Sequence, residues 1–245
     1  MSVKVHNERW RRWVTCSMCE QDYHGVVRCA LGWACWKTYL GRPETDEVRQ
    51  NAMNQLGLGL SGAEHHADAL SVNEAQLSMG RRLGYAEYKL LIVQGNLADT
   101  YKALGRLEEA LQLKRDVYYG NLRLNGNEHY DTIREAFNYA KSLAGLQRFE
   151  EAKSLLRKTI PVARRVLGEG ALITLSMRGI YGQSLYGDNG ATLDDLREAV
   201  ATLEEIARIS RRVLGNSHPV TGGIEGSLKR SRSTLRARET QSRSA

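Results

Sequence analysis

Four cysteines, all within the first 35 of 245 residues, are the side chains best suited to metal chemistry in this sequence. Cys16 and Cys19 form a C-x2-C pair. This spacing supplies two thiolates to one tetrahedral zinc ion, whereas a structural zinc site needs four ligands. His24 and Cys29 follow at spacings that could complete a ligand set around one ion.

A packing role competes with the metal site for the later cysteines. Cys29 and Cys35 lie among Val, Ala, Leu and Trp at near-helical intervals, and buried thiols behave as small apolar groups. We therefore expect both to pack against Trp33 and Trp36. This interpretation predicts no metal site and no cofactor.

No other set of residues indicates an enzyme. Residues 57–62 read G-L-G-L-S-G and match G-x-G-x-x-G, but no strand precedes them, and a dinucleotide-binding loop requires one. We place this glycine run in a turn between two helices. No Ser/His/Asp or Cys/His arrangement is visible along the chain, so we predict a protein without catalytic residues.

The net charge of +7 is concentrated at the two ends of the chain. Residues 1–13 carry +3 and residues 229–245 carry +5, which leaves the remainder nearly neutral. This distribution argues against a basic groove for nucleic acid, so we predict no specific nucleic-acid partner.

Hydropathy and cysteine usage indicate where the protein resides. The apolar run over 26–40 contains Arg28 and Lys37 and is shorter than the roughly 20 residues that span a bilayer. The N-terminus lacks the pattern of a secretory signal, and no cysteine follows residue 35. We expect a cytoplasmic protein without a membrane span.

The chain repeats itself at an interval of 42 residues. GRLEEAL at 105–111 is echoed by QRFEEAK at 147–153, and Asn-Leu-Ala at 96–98 is echoed by Asn-Tyr-Ala at 138–140. Such a period indicates stacked structural repeats.

Each copy contains two apolar stripes at the spacing of an amphipathic helix, separated by a short turn, and therefore predicts a helical hairpin. A third copy begins at 173 and takes a five-residue insertion within 186–196, and a degraded copy includes 65–70. Small residues fall where two helices must approach closely: Ala98, Ala110, Ala140, Ala152 and Gly182. Glycines that tolerate a left-handed conformation end the second helices: Gly126, Gly168 and Gly215.

The turns and linkers of these copies resemble tetratricopeptide repeats of the kinesin light chain type. The resemblance rests on the small residue of the first helix, the turn G/Q-R-[L/F]-E-E-A, and residues 214–221, L-G-N-S-H-P-V-T. Linkers of that type commonly read L-G-x-x-H-P-x-T. The resemblance covers about residues 45–240 and implies a right-handed α-solenoid that serves as a non-enzymatic protein-binding scaffold, although such a fold does not name the partner.

We predict an all-α chain of about four TPR-like hairpins with a C-terminal capping helix. The predicted parts are a Cys/Trp-rich N-terminal cap over 1–44, helical repeats over 45–228 (about 45–84, 85–126, 127–168 and 169–215), a capping helix over 216–240 and a basic disordered tail over 241–245.

The first helices of such a solenoid line its concave side, which offers an extended surface to a peptide. Counted along each helix from its small residue, the inward positions are mostly polar: Asn51, Asn54, Asp99, Lys102, Arg134, Phe137, Lys141 and Gln183. Arg134 and Lys141 are seven residues apart and so lie on one side of one helix. We predict that this groove binds a peptide of acidic character in an extended or helical conformation.

The N-terminal segment supports an alternative function. Residues 6–13, with the pair Cys16 and Cys19, resemble the closing half of a RING-variant zinc finger of the C4HC3 type, in which H-x-x-C precedes a final C-x2-C. Arg9 stands where that pattern has its cysteine, and the first half of the finger is absent. The alternative is therefore a fragment or paralogue of a RING-variant ubiquitin ligase with a vestigial finger.

Overall fold

The structure, a computed structural model, describes residues 10–244. Residues 1–9, which include Arg9 of the finger-like segment, lie outside this range. Over the described part the chain is helical, and its one β-pairing there is an isolated antiparallel bridge between Thr15 and Asp22. No helix within 10–244 combines the length and apolar character needed to cross a membrane. The all-α prediction is confirmed.

Within residues 10–244, ten helices follow one another as four hairpins preceded and followed by a single helix. They are α1 (Gly25–Tyr39), α2 (Glu47–Gly62), α3 (His66–Arg82), α4 (Glu87–Ala103), α5 (Leu107–Asn125), α6 (Tyr130–Gly145), α7 (Phe149–Leu167), α8 (Leu172–Gly187), α9 (Leu193–Leu214) and α10 (Pro219–Ser244). The hairpins are α2/α3, α4/α5, α6/α7 and α8/α9. Helix α10 runs to Ser244, so it continues past residue 240, where the sequence placed the start of a disordered tail.

The linkers between hairpins are stabilised by histidine caps and glycine turns. The Nδ1 atom of His129 accepts a hydrogen bond from the backbone N–H of Asp131, and His218 accepts one in the same way from Val220, both at 3.2 Å. These bonds satisfy N–H groups that a helix start leaves without a partner. The glycines predicted to end the second helices have positive φ of 77°, 92° and 87°: Gly126, Gly168 and Gly215.

The chain forms two compact units that divide within α5, between Leu113 and Lys114. In the first unit, α1 packs on α2 through glycines at the crossing. A Cβ at Gly59 would lie 2.8 Å from the backbone oxygen of Arg28, and a Cβ at Gly32 would lie 2.9 Å from that of Gln55. Two helices can approach this closely only where a side chain is missing.

This packing corrects the placement of the glycine run. Residues 57–62 do not form a turn between helices but lie inside α2, because Gly59 is needed for the contact with α1. The inter-helix turn follows instead at residues 63–65, where Glu64 has a φ of 65°.

The cysteines of α1 pack as the sequence predicted, although one of the two tryptophans does not. Cys35 is fully buried, and Trp36 lies against both its cluster and the cluster that holds the half-buried Cys29. Trp33 was expected to cover the thiols, but its side chain is 44% exposed. Trp10 and Trp13, which precede α1, join the Cys35 cluster in its place.

The second unit buries the small residues of its hairpins as predicted. Ala140 on α6 and Ala152 on α7 are fully buried. A Cβ at Gly182 on α8 would lie 2.8 Å from Leu203 Cγ on α9, so this side of a first helix faces the second helix of its own hairpin. Helix α10 packs against α8 and α9 and adds Ile224 to their shared core.

Candidate functional site

We call the predicted groove residues the first-helix surface, because all of them lie on α2, α4, α6 or α8, the first helices of the hairpins. Four of the eight side chains are exposed: Asp99, Lys102, Lys141 and Gln183. The other four are partly buried: Asn51, Asn54, Arg134 and Phe137. Three of the exposed residues, Asp99, Lys141 and Gln183, are spaced by 42 and so occupy one repeated position.

In the first unit, an asparagine pair joins two neighbouring first helices. Asn96 Nδ2 on α4 donates a hydrogen bond of 2.7 Å to Asn54 Oδ1 on α2. The two residues are 42 apart, at the position three residues before the repeated exposed one. The sequence reasoning placed Asn54 on the surface but left Asn96 beside it. The repeat spacing itself was the signal that could have included Asn96.

In the second unit, the charge of Arg134 is already compensated by its own helix. Its Nη1 lies 2.8 Å from Asp131 Oδ1, and its Nε lies 2.9 Å from Glu135 Oε1. Burial opposes the charge on Arg134, but the hydrogen bond to Glu135 and the nearby carboxylates outweigh it and raise the pKa of the guanidinium. The same Glu135 accepts a hydrogen bond of 3.0 Å from Asn138. Arg134 therefore has less free charge for a ligand than its sequence position suggested.

Lys141, about two turns further along the same side of α6, is the stronger binding candidate. Its Nζ lies 6.0 Å from the ring centroid of Phe137, which is within the range of a cation–π contact. Within residues 10–244 no carboxylate forms an ion pair with Lys141. The side chain thus combines an apolar neighbour with a positive charge that remains available to an acidic group.

The cysteine pair forms an ordered knuckle. The backbone N–H of Cys16 donates to Gln21 O at 2.8 Å, and that of Glu20 donates to Cys16 O at 2.9 Å. Hydrogen bonds from the backbone N–H groups of Cys19 and Met18 lower the pKa of the Cys16 thiol to about 7. Among the described residues, no group of three or more His, Cys, Asp or Glu side chains is placed to hold a metal ion.

Among the described residues, two buried cations escaped the sequence reasoning. Lys153 on α7 has a side chain only 4% exposed, and its Nζ lies 2.5 Å from Glu150 Oε1 and 3.5 Å from Asp188 Oδ2. Burial opposes the charge, but the hydrogen bond to Glu150 and the nearby acids raise the pKa of Lys153. Asp188 belongs to the five-residue insertion, so this ion pair fixes the inserted loop to the preceding hairpin. The second is Arg178 of α8, which is paired with Glu169 and Glu205.

Comparison with known proteins identifies the repeats. The sequence profile of the tetratricopeptide repeat matches residues 90–131, 138–170 and 191–220. These three segments have the sequence pattern of tetratricopeptide repeats. The matched segments fall on α4, α5, α6, α7 and α9 and reach the first residues of α10, whereas α8 lies between two of them.

Solved structures are similar to most of the chain. The TPR-like repeats of a Podosopora anserina protein described as a kinesin light chain superimpose with a TM-score of 0.65 at 19% identity, over 82% of this chain and 91% of that chain. BtubC (BKLC) from P. vanneervenii gives a TM-score of 0.59 at 15% identity, over 86% of this chain and 91% of that one. At such identities the similarity concerns the fold, and it supports a TPR-like α-solenoid. A search of curated proteins found no match.

Proposed function

We propose that this protein is a non-enzymatic scaffold that binds a peptide segment of a partner protein on its first-helix surface. Tetratricopeptide repeats offer extended surfaces for binding, and within the second unit α6 and α8 lie in contact. The observation that carries the proposal is the exposed charge of Lys141, which is unpaired within residues 10–244. It is exposed, has no ion pair in the described chain, lies beside Phe137 and shares a repeated position with the exposed Gln183.

These side chains suit a peptide with an acidic residue and an apolar one. A carboxylate can pair with Lys141, and the amide of Gln183 can bond to a peptide backbone. The apolar part of the peptide would contact Phe137. A cytoplasmic location accords with the free state of all four thiols, because thiols stay reduced there.

The ubiquitin ligase alternative has less support. The family match begins at residue 90 and so does not reach the cysteine knuckle, and Arg9 replaces a cysteine of the finger. The knuckle contributes two thiolates, whereas a structural zinc needs four ligands.

A displayed library of random peptides tests the proposal. We expect selection on the full chain to enrich acidic peptides, because Lys141 supplies an uncompensated positive charge. The variant Lys141→Glu should lower the affinity for a selected peptide by about tenfold or more. Lys158→Glu is the matched control, since Lys158 is exposed on α7, a second helix. Equal binding of the selected peptides to both variants would show that the first-helix surface is not the site.

A further inference from the structure

Two adjoining cavities of about 590 and 740 Å³ lie between α9 and α10 in the second unit. Both are lined by Arg211, Leu228 and Arg232. One extends along α10 to Arg236, and the other extends along α9 to Glu204. We call this continuous depression the α9–α10 groove.

The register of the repeats explains why this groove exists. The spacing of 42 residues, or 47 across the insertion, aligns Lys229 on α10 with Gly182 on α8 and Ala140 on α6. In α8 this side faces the second helix of the hairpin, since a Cβ at Gly182 would meet Leu203. In α10 the same side carries the exposed Lys229. The groove thus has the form of a helix-binding position whose close-contact residue is a lysine.

The position three residues after Lys229 also carries a cation where the other first helices carry an uncharged residue. Arg232 on α10 aligns with Leu185 on α8 and Leu143 on α6, and both leucines are buried. Helix α10 has therefore replaced a small and an apolar contact residue by two cations. A helix that packs here must be complementary to positive charge.

The carboxylates in the groove do not neutralise it. Each of the three carboxylates that line the groove is already paired with an arginine. The pairs are Arg232 with Glu204 at 2.6 Å, Arg178 with Glu205 at 2.5 Å, and Arg211 with Glu225 at 2.6 Å. Among the described residues, Lys229 and Arg236 have no carboxylate within ion-pair distance. Arg208 adds a further positive charge at the α9 side.

The base of the groove is apolar. Leu228 is 7% exposed and belongs to the core cluster with Ala207 and Ile224, so a ligand that reaches it contacts the hydrophobic core. Lys229 and Arg236 are seven residues apart, about two helical turns or roughly 10 Å along α10. A partner helix with carboxylates two turns apart can meet both.

We propose that the α9–α10 groove binds an acidic amphipathic helix of a partner protein, with its apolar face on Leu228 and its carboxylates at Lys229 and Arg236. The charge complementarity and the helix-binding position of the repeat both specify this occupant. The inference does not depend on the first-helix surface, because the two sites share no residue.

The test uses two synthetic peptides of about 18 residues, long enough to form a helix on binding. Both contain the same number of Glu, Leu and Ala residues, but only one arranges its leucines on a single helical face. Fluorescence anisotropy on the full chain measures the dissociation constants. We expect the amphipathic peptide to bind about tenfold or more tightly than the scrambled one, because only it can place leucines on Leu228 while its carboxylates meet the cations.

Charge reversal locates the binding. The pair Lys229→Glu and Arg236→Glu should weaken the amphipathic peptide by about tenfold or more, whereas reversal of the exposed Arg115 and Lys158 should change binding by no more than about twofold. The neutral pair Lys229→Gln and Arg236→Gln repeats the test if the reversed chain does not fold. Lys141→Glu should leave this binding unchanged, which separates the groove from the first-helix surface.

Three results would overturn the proposal. The first is equal affinity for the two peptides, which would indicate attraction to net charge alone. The second is an equal loss of affinity on reversal at the groove and at the control positions. The third is no measurable binding of the amphipathic peptide.

Discussion

Replacement of Gly59 by alanine changes one methyl group at the closest contact between α1 and α2. The added Cβ would lie 2.8 Å from Arg28 O and 3.2 Å from Cys29 Cα, both backbone atoms of α1. Backbone atoms cannot rotate away as the end of a side chain can, so α1 must shift from α2. We expect Gly59→Ala to destabilise the protein.

Two opposing effects determine the magnitude. Overpacking a tight contact costs about 1–3 kcal/mol, and alanine in place of glycine inside a helix gains about 1 kcal/mol. Because both clashing atoms belong to the backbone, the upper half of the cost applies. The free energy of unfolding should fall by about 1–2 kcal/mol, which lowers the melting temperature of a chain of this length by roughly 2–8 °C.

A matched glycine on the next first helix gives the control. Gly95 lies inside α4, and a Cβ there would meet nothing within 4 Å. Gly95→Ala should therefore raise the free energy of unfolding by up to about 1 kcal/mol. Thermal and urea denaturation, followed by circular dichroism, measure both variants. A Gly59→Ala protein that melts at or above the parent temperature would refute the close-contact explanation of the glycine run.

Three further variants or labelling experiments probe other parts of the molecule. Ala152→Leu should cost about 1–3 kcal/mol in denaturation, because Ala152 is fully buried; an unchanged midpoint would mean that the repeat register is wrong. Iodoacetamide should alkylate Cys16 with a half-maximal rate near pH 7, since its pKa is about 7, and should spare Cys35, whose pKa burial raises to about 11; peptide mass spectrometry would contradict this if Cys35 reacted first. Lys153→Met should raise the pKa of Asp188 in an NMR titration, but not fully to its ordinary value. The N–H of Gly190 and the charge of Lys153 together lower the pKa of Asp188. The ionised Asp188 therefore stabilises the fold at neutral pH, and this stability is lost as the pH falls through its folded pKa. The variant should reduce this contribution.

The repeat fold was readable because packing imposes the same demand in each copy. Ala98, Ala140 and Gly182 recur at one spacing, since two helices meet at each of them. The same logic did not extend to the glycines of α2. A glycine serves a turn and a close helix crossing equally well, and the partner of Gly59 lies on α1, outside the repeating part.

The charges on the first-helix surface were harder to predict than the helices that carry it. Arg134 was correctly placed on a first helix, but its pairing with Asp131 and Glu135 removes much of its free charge. The spacing of three residues to Asp131 was visible in the sequence and indicates an ion pair on a helix. The burial of Lys153 was not readable in this way, because one of its acids, Asp188, comes 35 residues later in an insertion that no other copy contains.

The difference between buried and exposed positions of the same helices shows which residues are constrained by packing and which are not. At the buried position, Ala140 and Gly182 are both small, because the second helix leaves no room for a larger side chain. One residue further, Lys141 and Gln183 differ in charge and both are exposed. Helix α10 breaks the rule at the buried position itself, where Lys229 replaces the small residue. A lysine is tolerated there because that side of α10 is exposed rather than closed by a second helix. The residues that packing leaves free, on the first-helix surface and in the α9–α10 groove, are therefore the ones that we propose contact a partner.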